Sequence, residues 1–454
     1  MSSPSTFDIV EMSAPVSLEI APHAPEKVSG ALPCIPIELL QTIFGHVAEW
    51  PTTPWTERRP EPPDTNLRCV PFFLASVCTQ WRITALQTPE LWSTISLMNG
   101  ALRDPVAYVD ACLDRSAQWP LDIVADFSHI GAMSGAEAMA IWGRIISQNF
   151  YWKRCHFTFT STPEITWDKW PESTPNLKEL VVVVQESEHY NDPFASAEDH
   201  PNRPLPIAAH LRRLSFNSLH LPYIDFRDLE YLSVHLHERD CSILWDVLSQ
   251  APLLCEARIF WPHSLERLEG PPRQTISLPN LQRLEIYGRT AADFDLYVET
   301  FDLPALQTVV VSAYTCNKLA TLFERVAPQV NKLIVRYEWG SLLAEEDARA
   351  ICHLRFLKEI VICGIEMDYV TGEDMTADAS SLGFSDFFEI LRDSPEMKRL
   401  HTLKMVDCKQ HWSSSSSELA NHSFEVSFLG EGKGWADPRI GVFMDIPEAG
   451  YWGS

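Results

Sequence analysis

No two of the eleven cysteines form a CxxC pair; they lie scattered from Cys34 to Cys408, and their number is odd. That usage argues against a disulfide framework and a zinc module, and fits reduced thiols in the cytoplasm or nucleus. No apolar run approaches the roughly 18 residues of a membrane span. The longest obvious one, Leu180 to Val184, has the length of a buried strand. Met1 to Val10 carry no positive charge and no apolar core, so no signal peptide is expected there. Cations are also short: 36 Lys and Arg against 61 Asp and Glu leave a net charge of −25. Nucleic acid and anionic membrane are therefore poor partners, since both are bound through cationic side chains. GxSxG, GxxxxGK[ST] and HExxH are all missing. Gly430-Glu431-Gly432-Lys433-Gly434 lacks the Ser or Thr of a phosphate loop, and His235 with His237 has no third ligand at useful spacing. The expectation is a chain with no catalytic site, no metal and no cofactor.

What is present is 45% hydrophobic and 21% charged, an ordinary balance for a folded chain. Residues 1–30 are rich in Ser, Pro, Ala and Glu and read as a disordered leader. From Ile35 a helix begins, with Pro36 and Glu38 in its first turn and Leu39, Leu40, Ile43, Phe44 and Val47 at helical spacing. A proline-rich loop, Pro51 to Asn66, follows. A second helical pattern then puts Leu74, Val77, Cys78, Trp81 and Ala85 on one face, ended by Thr88-Pro89.

Beyond residue 100 the signal is repetition. A unit L-x-x-L-x-(I/V) appears as Leu177…Leu180-Val181-Val182, Leu211…Leu214-Ser215-Phe216 and Leu281…Leu284-Glu285-Ile286, often just after a proline. Its second apolar position recurs at 121, 155, 180, 214, 232, 257, 284, 309, 333, 360 and 403, with successive gaps of 25, 27, 25, 24 and 27 in the middle. Short strands stacking in parallel, with helices such as those around Trp245 to Leu248 and Leu319 to Val326 on the return path, account for that beat. The fold class expected is α/β: helices first, then an irregular solenoid with parallel strands on one face and helices on the other. Residues 411–454, including Ser413 to Ser417, are read as a linker and cap.

Ile35-Pro36-Ile37-Glu38-Leu39-Leu40, Ile43-Phe44 and Val47 resemble the first half of the F-box, and Leu74 to Cys78, Trp81-Arg82 and Leu91-Trp92 its second half. Ile35 stands where leucine is usual, and the proline-rich loop lengthens the gap between the halves. The resemblance assigns residues 31–98 to an F-box and 99–410 to leucine-rich repeats of the kind found in fungal F-box proteins. Cys112-Leu113-Asp114-Arg115-Ser116 followed by Pro120-Leu121-Asp122-Ile123 resembles the junction between the two. It implies a non-enzymatic substrate receptor of an SCF-type cullin–RING ubiquitin ligase. The Skp-family adaptor would be bound through Ile35, Pro36, Glu38, Leu39, Leu40, Ile43, Phe44, Val77 and Trp81. A repeat-based scaffold that delivers nothing for degradation is the alternative.

For the protein substrate, the strand positions between the buried pairs are the expected surface. They and their neighbours carry Arg213, Arg258, Arg283, Lys332 and Arg336 against Glu179, Glu256, Glu285 and Glu359, with Tyr231, Phe260, Tyr287 and Tyr337 in or beside the same strands. Arg213, Arg258, Phe260, Arg283, Tyr287 and Arg336 are the substrate-contact candidates, offering bidentate contacts to acidic or phosphorylated side chains.

Overall fold

The structure is a computed structural model. It describes residues 35–48, 70–97, 102, 104–127, 135–160, 170–171, 173–185, 208, 210–216, 226–235, 241–260, 275–287, 300–312, 319–326, 328–336, 345–365, 390–391, 393–408 and 425–429. The leader, the proline-rich loop, the serine run, His237, Tyr337 and the 430–434 glycines lie outside them.

Helix α1, Ile37–Ala48, starts after Pro36, whose carbonyl accepts from the Leu40 N–H at 3.1 Å. The second helical pattern is two helices instead of one: α2, Val70–Val77, and α3, Thr79–Leu86. Between them Cys78 is extended, at φ −158°, and its Sγ accepts the Trp81 N–H at 3.5 Å. Apolar spacing continues across this break, so periodicity alone does not reveal it. Arg82 Nε donates to the Ala75 carbonyl at 2.9 Å and ties the second helix back over the first. The short α4, Pro89–Trp92, then delivers Trp92 into the core, where its Nε1 donates to the Ala85 carbonyl at 2.8 Å.

Thirteen strands form one all-parallel sheet in chain order. They are β1 (Thr94–Leu97), β2 (Leu121–Asp126), β3 (Trp152–Thr160), β4 (Glu179–Gln185), β5 (Arg213–Phe216), β6 (Tyr231–His235) and β7 (Glu256–Phe260). Next comes β8 (Ile276–Ser277), which pairs only with β10 (Phe301–Asp302) in a small second sheet. The main sheet continues with β9 (Arg283–Tyr287), β11 (Thr308–Ser312), β12 (Lys332–Arg336), β13 (Glu359–Ile365), β14 (Thr402–Cys408) and β15 (Glu425–Leu429). Helices α5 (Pro105–Ser116), α6 (Gly135–Ser147) and α7 (Cys241–Ser249), with Ala320–Val326 and Glu345–Cys352, fill the return paths. The molecule is thus mixed α/β with a large parallel sheet, an arrangement compatible with a solenoid.

Register explains the repeat. Cys155, Leu180, Leu214, Leu232, Ala257, Leu284, Val309, Leu333, Ile360 and Leu403 are successive cross-strand partners. The partner of Cys155 in β2 is Ile123, two residues beyond the expected Leu121, and the β2–β3 register shifts by one residue between Leu121 and Asp122. The sheet also overruns the expected limits of 99–410, beginning at β1 and ending at β15.

In the main sheet each strand from β4 to β14 is preceded by a tight turn that lets the second apolar residue of the unit point inward. The Leu254, Leu281 and Leu306 N–H groups donate to the carbonyls of Ala251, Leu278 and Leu303 at 3.2, 3.2 and 3.3 Å. Pro252, Pro279 and Pro304 sit second in these turns, where their fixed φ is suited. The carbonyl just before one strand then accepts two N–H groups of the next repeat. Glu230 O takes Cys255 and Glu256, Cys255 O takes Gln282 and Arg283, and Gln282 O takes Gln307 and Thr308, all between 2.8 and 3.1 Å.

One continuous core runs from Leu40 and Phe44 to Leu403. Trp92 and Tyr108 join the N-terminal helices to the first strand: Phe72 meets Trp92 edge-on at 5.2 Å, Arg115 lies over the Trp92 ring, and the Tyr108 hydroxyl accepts from Ser96 N–H.

Candidate functional site

Two surfaces gather the candidate residues: the outer side of the N-terminal helices, and the sheet face turned away from the core. On α1 the apolar residues divide into two stripes, each with the four-residue spacing that aligns side chains along a helix. Leu40 and Phe44 are fully buried, Phe44 edge-on to Trp81 with centroids 5.3 Å apart. Ile35, Leu39, Ile43 and Val47 face outward, Leu39 at 55% exposure. Phe73 and Val77, one helical turn apart on α2, are 61% and 59% exposed. Gln80 Nε2 donates to the Ile35 carbonyl at 3.0 Å and holds the start of α1 against the start of α3. Pro36 and Glu38 are exposed and Trp81 is half-buried against the core. Leu40 and Phe44 therefore hold the helices together, and the exposed candidates are Ile35, Pro36, Glu38, Leu39, Ile43 and Val77, joined by the exposed apolar residues Val47 and Phe73.

The outer sheet face carries the expected cations and glutamates in rows across the strands. Asp122, Arg154, Glu179, Arg213, Tyr231, Glu256, Arg283, Thr308, Lys332, Glu359 and Thr402 are consecutive cross-strand partners, one row running along most of the sheet. Charges alternate along much of it and neutralise one another. Arg154 binds Asp122 through two hydrogen bonds, at 2.6 and 2.7 Å. Arg283 Nε lies 3.2 Å from Glu256, and Glu359 is shared by Lys332 at 3.3 Å and Lys404 at 2.6 Å.

The next row is more enclosed. Arg258 (1% exposed) and Glu285 (0%) are a buried ion pair at 3.1 Å. Glu285 also accepts from Arg283 Nε at 2.6 Å and from the Tyr287 hydroxyl at 2.8 Å. Burial alone would raise the Glu285 carboxyl. The charges of Arg258, then Arg283 and Arg336, with the Arg283 hydrogen bond, outweigh that and hold it below the ordinary range. For Tyr231, burial pushes the phenol up to about 12, with the Arg213 and Arg258 guanidiniums over its ring. Along the third row His235, Phe260 and Tyr287 stack, with centroids 3.9 and 4.7 Å apart, and Arg336 covers Tyr287. Val310, Ile334 and Val361 are fully buried on this same face and form a second small core with Tyr287 and Cys363.

The six substrate-contact candidates are thus brought to one face, but not as a receptive cationic surface. Arg258, Arg283 and Arg336 are enclosed and engaged with the chain's own groups, Arg213 covers Tyr231, and Tyr287 is buried. Phe260 is half-buried, and His235 beside it is exposed. Sequence reasoning took alternate strand residues to be solvated. It missed that cross-strand neighbours of opposite charge close over one another, a signal present in the alternating Arg and Glu of equivalent repeat positions.

Among the described residues no group of three or more His, Cys, Asp or Glu could hold a metal ion, and no helix is long and apolar enough to cross a membrane. No protein-family model matches the chain, and no curated protein matches it.

Proposed function

We propose that the chain is the substrate-recognition subunit of an SCF-type ubiquitin ligase. The F-box-like helices would bind a Skp-family adaptor, and the leucine-rich-repeat-like array would hold a protein substrate. The observation that carries this reading is the outward stripe Ile35, Leu39, Ile43 and Val47, with Phe73 and Val77 on the neighbouring helix. Apolar side chains of this size, exposed together on small helices that resemble the F-box, are what a partner's helices would cover. The inward residues of the motif support a folded module, and the outward ones supply its docking face.

Isothermal titration of the full chain with a Skp-family adaptor tests the reading. A 1:1 complex is expected, weakened about thirtyfold or more by Leu39→Asp with Ile43→Asp, as for residues central to an interface. The circular dichroism of this variant should stay unchanged. Absence of binding by the native chain, or equal binding by the folded double variant, would overturn it. Delivery for degradation is tested separately, by whether captured proteins accumulate when the chain is removed from cells.

A further inference from the structure

The chain carries a net charge of −25, yet its described surface includes a cluster of exposed cations. It lies on the edge formed by the turns that precede the strands, where the turns before β13 and β14 meet. The first, Leu354 to Leu357, closes through the Leu357 N–H to the Leu354 carbonyl at 3.0 Å and lifts Arg355 and Phe356 to the surface. The second is the 3-10 turn Pro395–Met397, and Lys398 and Arg399 follow it, both exposed. The two turns touch. The Arg399 guanidinium lies over the Phe356 ring at 4.4 Å, and the Lys358 carbonyl accepts from the His401 N–H at 3.0 Å.

Arg355, Lys358, Lys398 and Arg399 are all exposed, and among the described residues no carboxylate stands within ion-pair distance of them. Elsewhere on this edge Arg212 is met by Glu230 at 3.3 Å, so unmatched cations are not a general property of the turns. Two exposed carboxylates belong to the second turn and its approach, Asp393 and Glu396. Glu396 accepts from the Ser394 hydroxyl at 2.7 Å, and that bond first, with the charges of Arg355 and Lys398 after it, holds its carboxyl below the ordinary range. The charges of the two turns thus stand side by side, with Arg355 and Lys398 both acting on Glu396 and Arg399 lying over the Phe356 ring next to Arg355.

We propose that this edge is a docking site for a short acidic peptide segment of a partner protein, its carboxylates on Arg355, Lys358, Lys398 and Arg399 and an apolar side chain beside Phe356. The patch spans two adjacent turns, about 5 Å apart at strand spacing, so it suits a segment of a few residues. A long polyanion such as nucleic acid would run off the patch onto a surface of its own charge. The inference does not depend on the ligase reading, and its test contains no adaptor.

The test is fluorescence anisotropy of labelled octaglutamate with the full chain at low ionic strength. Binding is expected and should weaken as salt is raised through the range that screens exposed charges. Arg355→Glu combined with Lys358→Glu and Arg399→Glu should weaken it by about tenfold or more. Lys178→Glu, an exposed cation on the same edge near β4, should leave it unchanged. Should the triple reversal fail to fold, Arg355→Gln with Arg399→Gln carries the same expectation in smaller measure. No binding by the native chain overturns the proposal, as does equal loss in Lys178→Glu or full binding by the folded variants. Tighter binding of a single-stranded oligonucleotide of equal charge overturns it in favour of nucleic acid.

Discussion

Glu285 shows how an acidic side chain is kept charged with no exposure to water. Its carboxylate meets Arg258, Arg283 and the Tyr287 hydroxyl, so both oxygens face a donor or a positive charge. Removing the charge by Glu285→Gln takes from buried Arg258 its nearest carboxylate, with Glu256 left at 3.7 Å, and should destabilise the chain by about 3–5 kcal/mol, read by denaturant unfolding. The sign with pH follows from the lowered carboxyl. The stabilisation is fully present above the ordinary glutamate value of 4.5 and is lost as pH falls through the lower, folded-state value. Glu285→Gln should therefore flatten the acid limb of the stability profile as well as lower its plateau. An acid limb as steep as the native one would show that other carboxylates set it. This cage could have been suspected from sequence: Arg258 and Glu285 occupy the same place in consecutive repeat units. That the two would shield each other depends on cross-strand distance, which a linear pattern does not encode.

At the scale of the turn and strand, most of the sheet was legible. The apolar beat from 155 to 403 is the actual cross-strand register, because a period-two side-chain pattern fixes which residues face the core. The edges were less legible. The first strand lies inside the stretch that reads as helical, and only Ile95 and Leu97 are left to signal it. The break at Cys78 was hidden because Leu74, Val77, Cys78, Trp81 and Ala85 keep helical spacing across it, although Val77 and Cys78 turn outward while Ala85 is buried. The turn makes a sharper distinction than composition can. Leu253 and Leu254 are neighbours in one turn, yet Leu253 is 46% exposed and Leu254 is fully buried. Leu254→Ala should cost about 2–5 kcal/mol. Leu253→Ala should stay within about 0.5 kcal/mol. Comparable losses from the two in parallel melts would mean the turn is not seated as described.

Across the whole molecule the N-terminal helices and the sheet share a core, which bears on where the chain can be cut. A fragment of residues 31–98 keeps Trp92 but loses Tyr108 and Arg115, which pack on Phe72 and on Trp92. It also leaves β1 without β2. Extending the fragment to residue 127 restores these contacts. By circular dichroism and thermal melting the longer fragment should be more helical per residue and melt cooperatively, whereas 31–98 should not. A cooperative melt of 31–98 alone would show that the helices need nothing from the sheet. The divided apolar face of α1 belongs to this scale too. Spacing marked Leu39, Leu40, Ile43 and Phe44 as one set, and only packing against α2, α3 and α4 decides which stripe turns inward.

From β4 to β14 the joints between repeats are made by main chain: the pre-strand carbonyls from Lys178 to Lys358 each gather two amides from the next repeat, whatever the side chains are. A seam of this kind is indifferent to what the return path contains. The distance between equivalent positions can shrink to 18 residues, as from Leu214 to Leu232, or stretch to 43, as from Ile360 to Leu403, while the seam keeps its pattern. Insertions after a strand add little cost, because closing a loop becomes harder only slowly with its length. The array is therefore free to diversify its long connections by insertion and deletion while its spine stays fixed, and new binding features can arise there without a new fold.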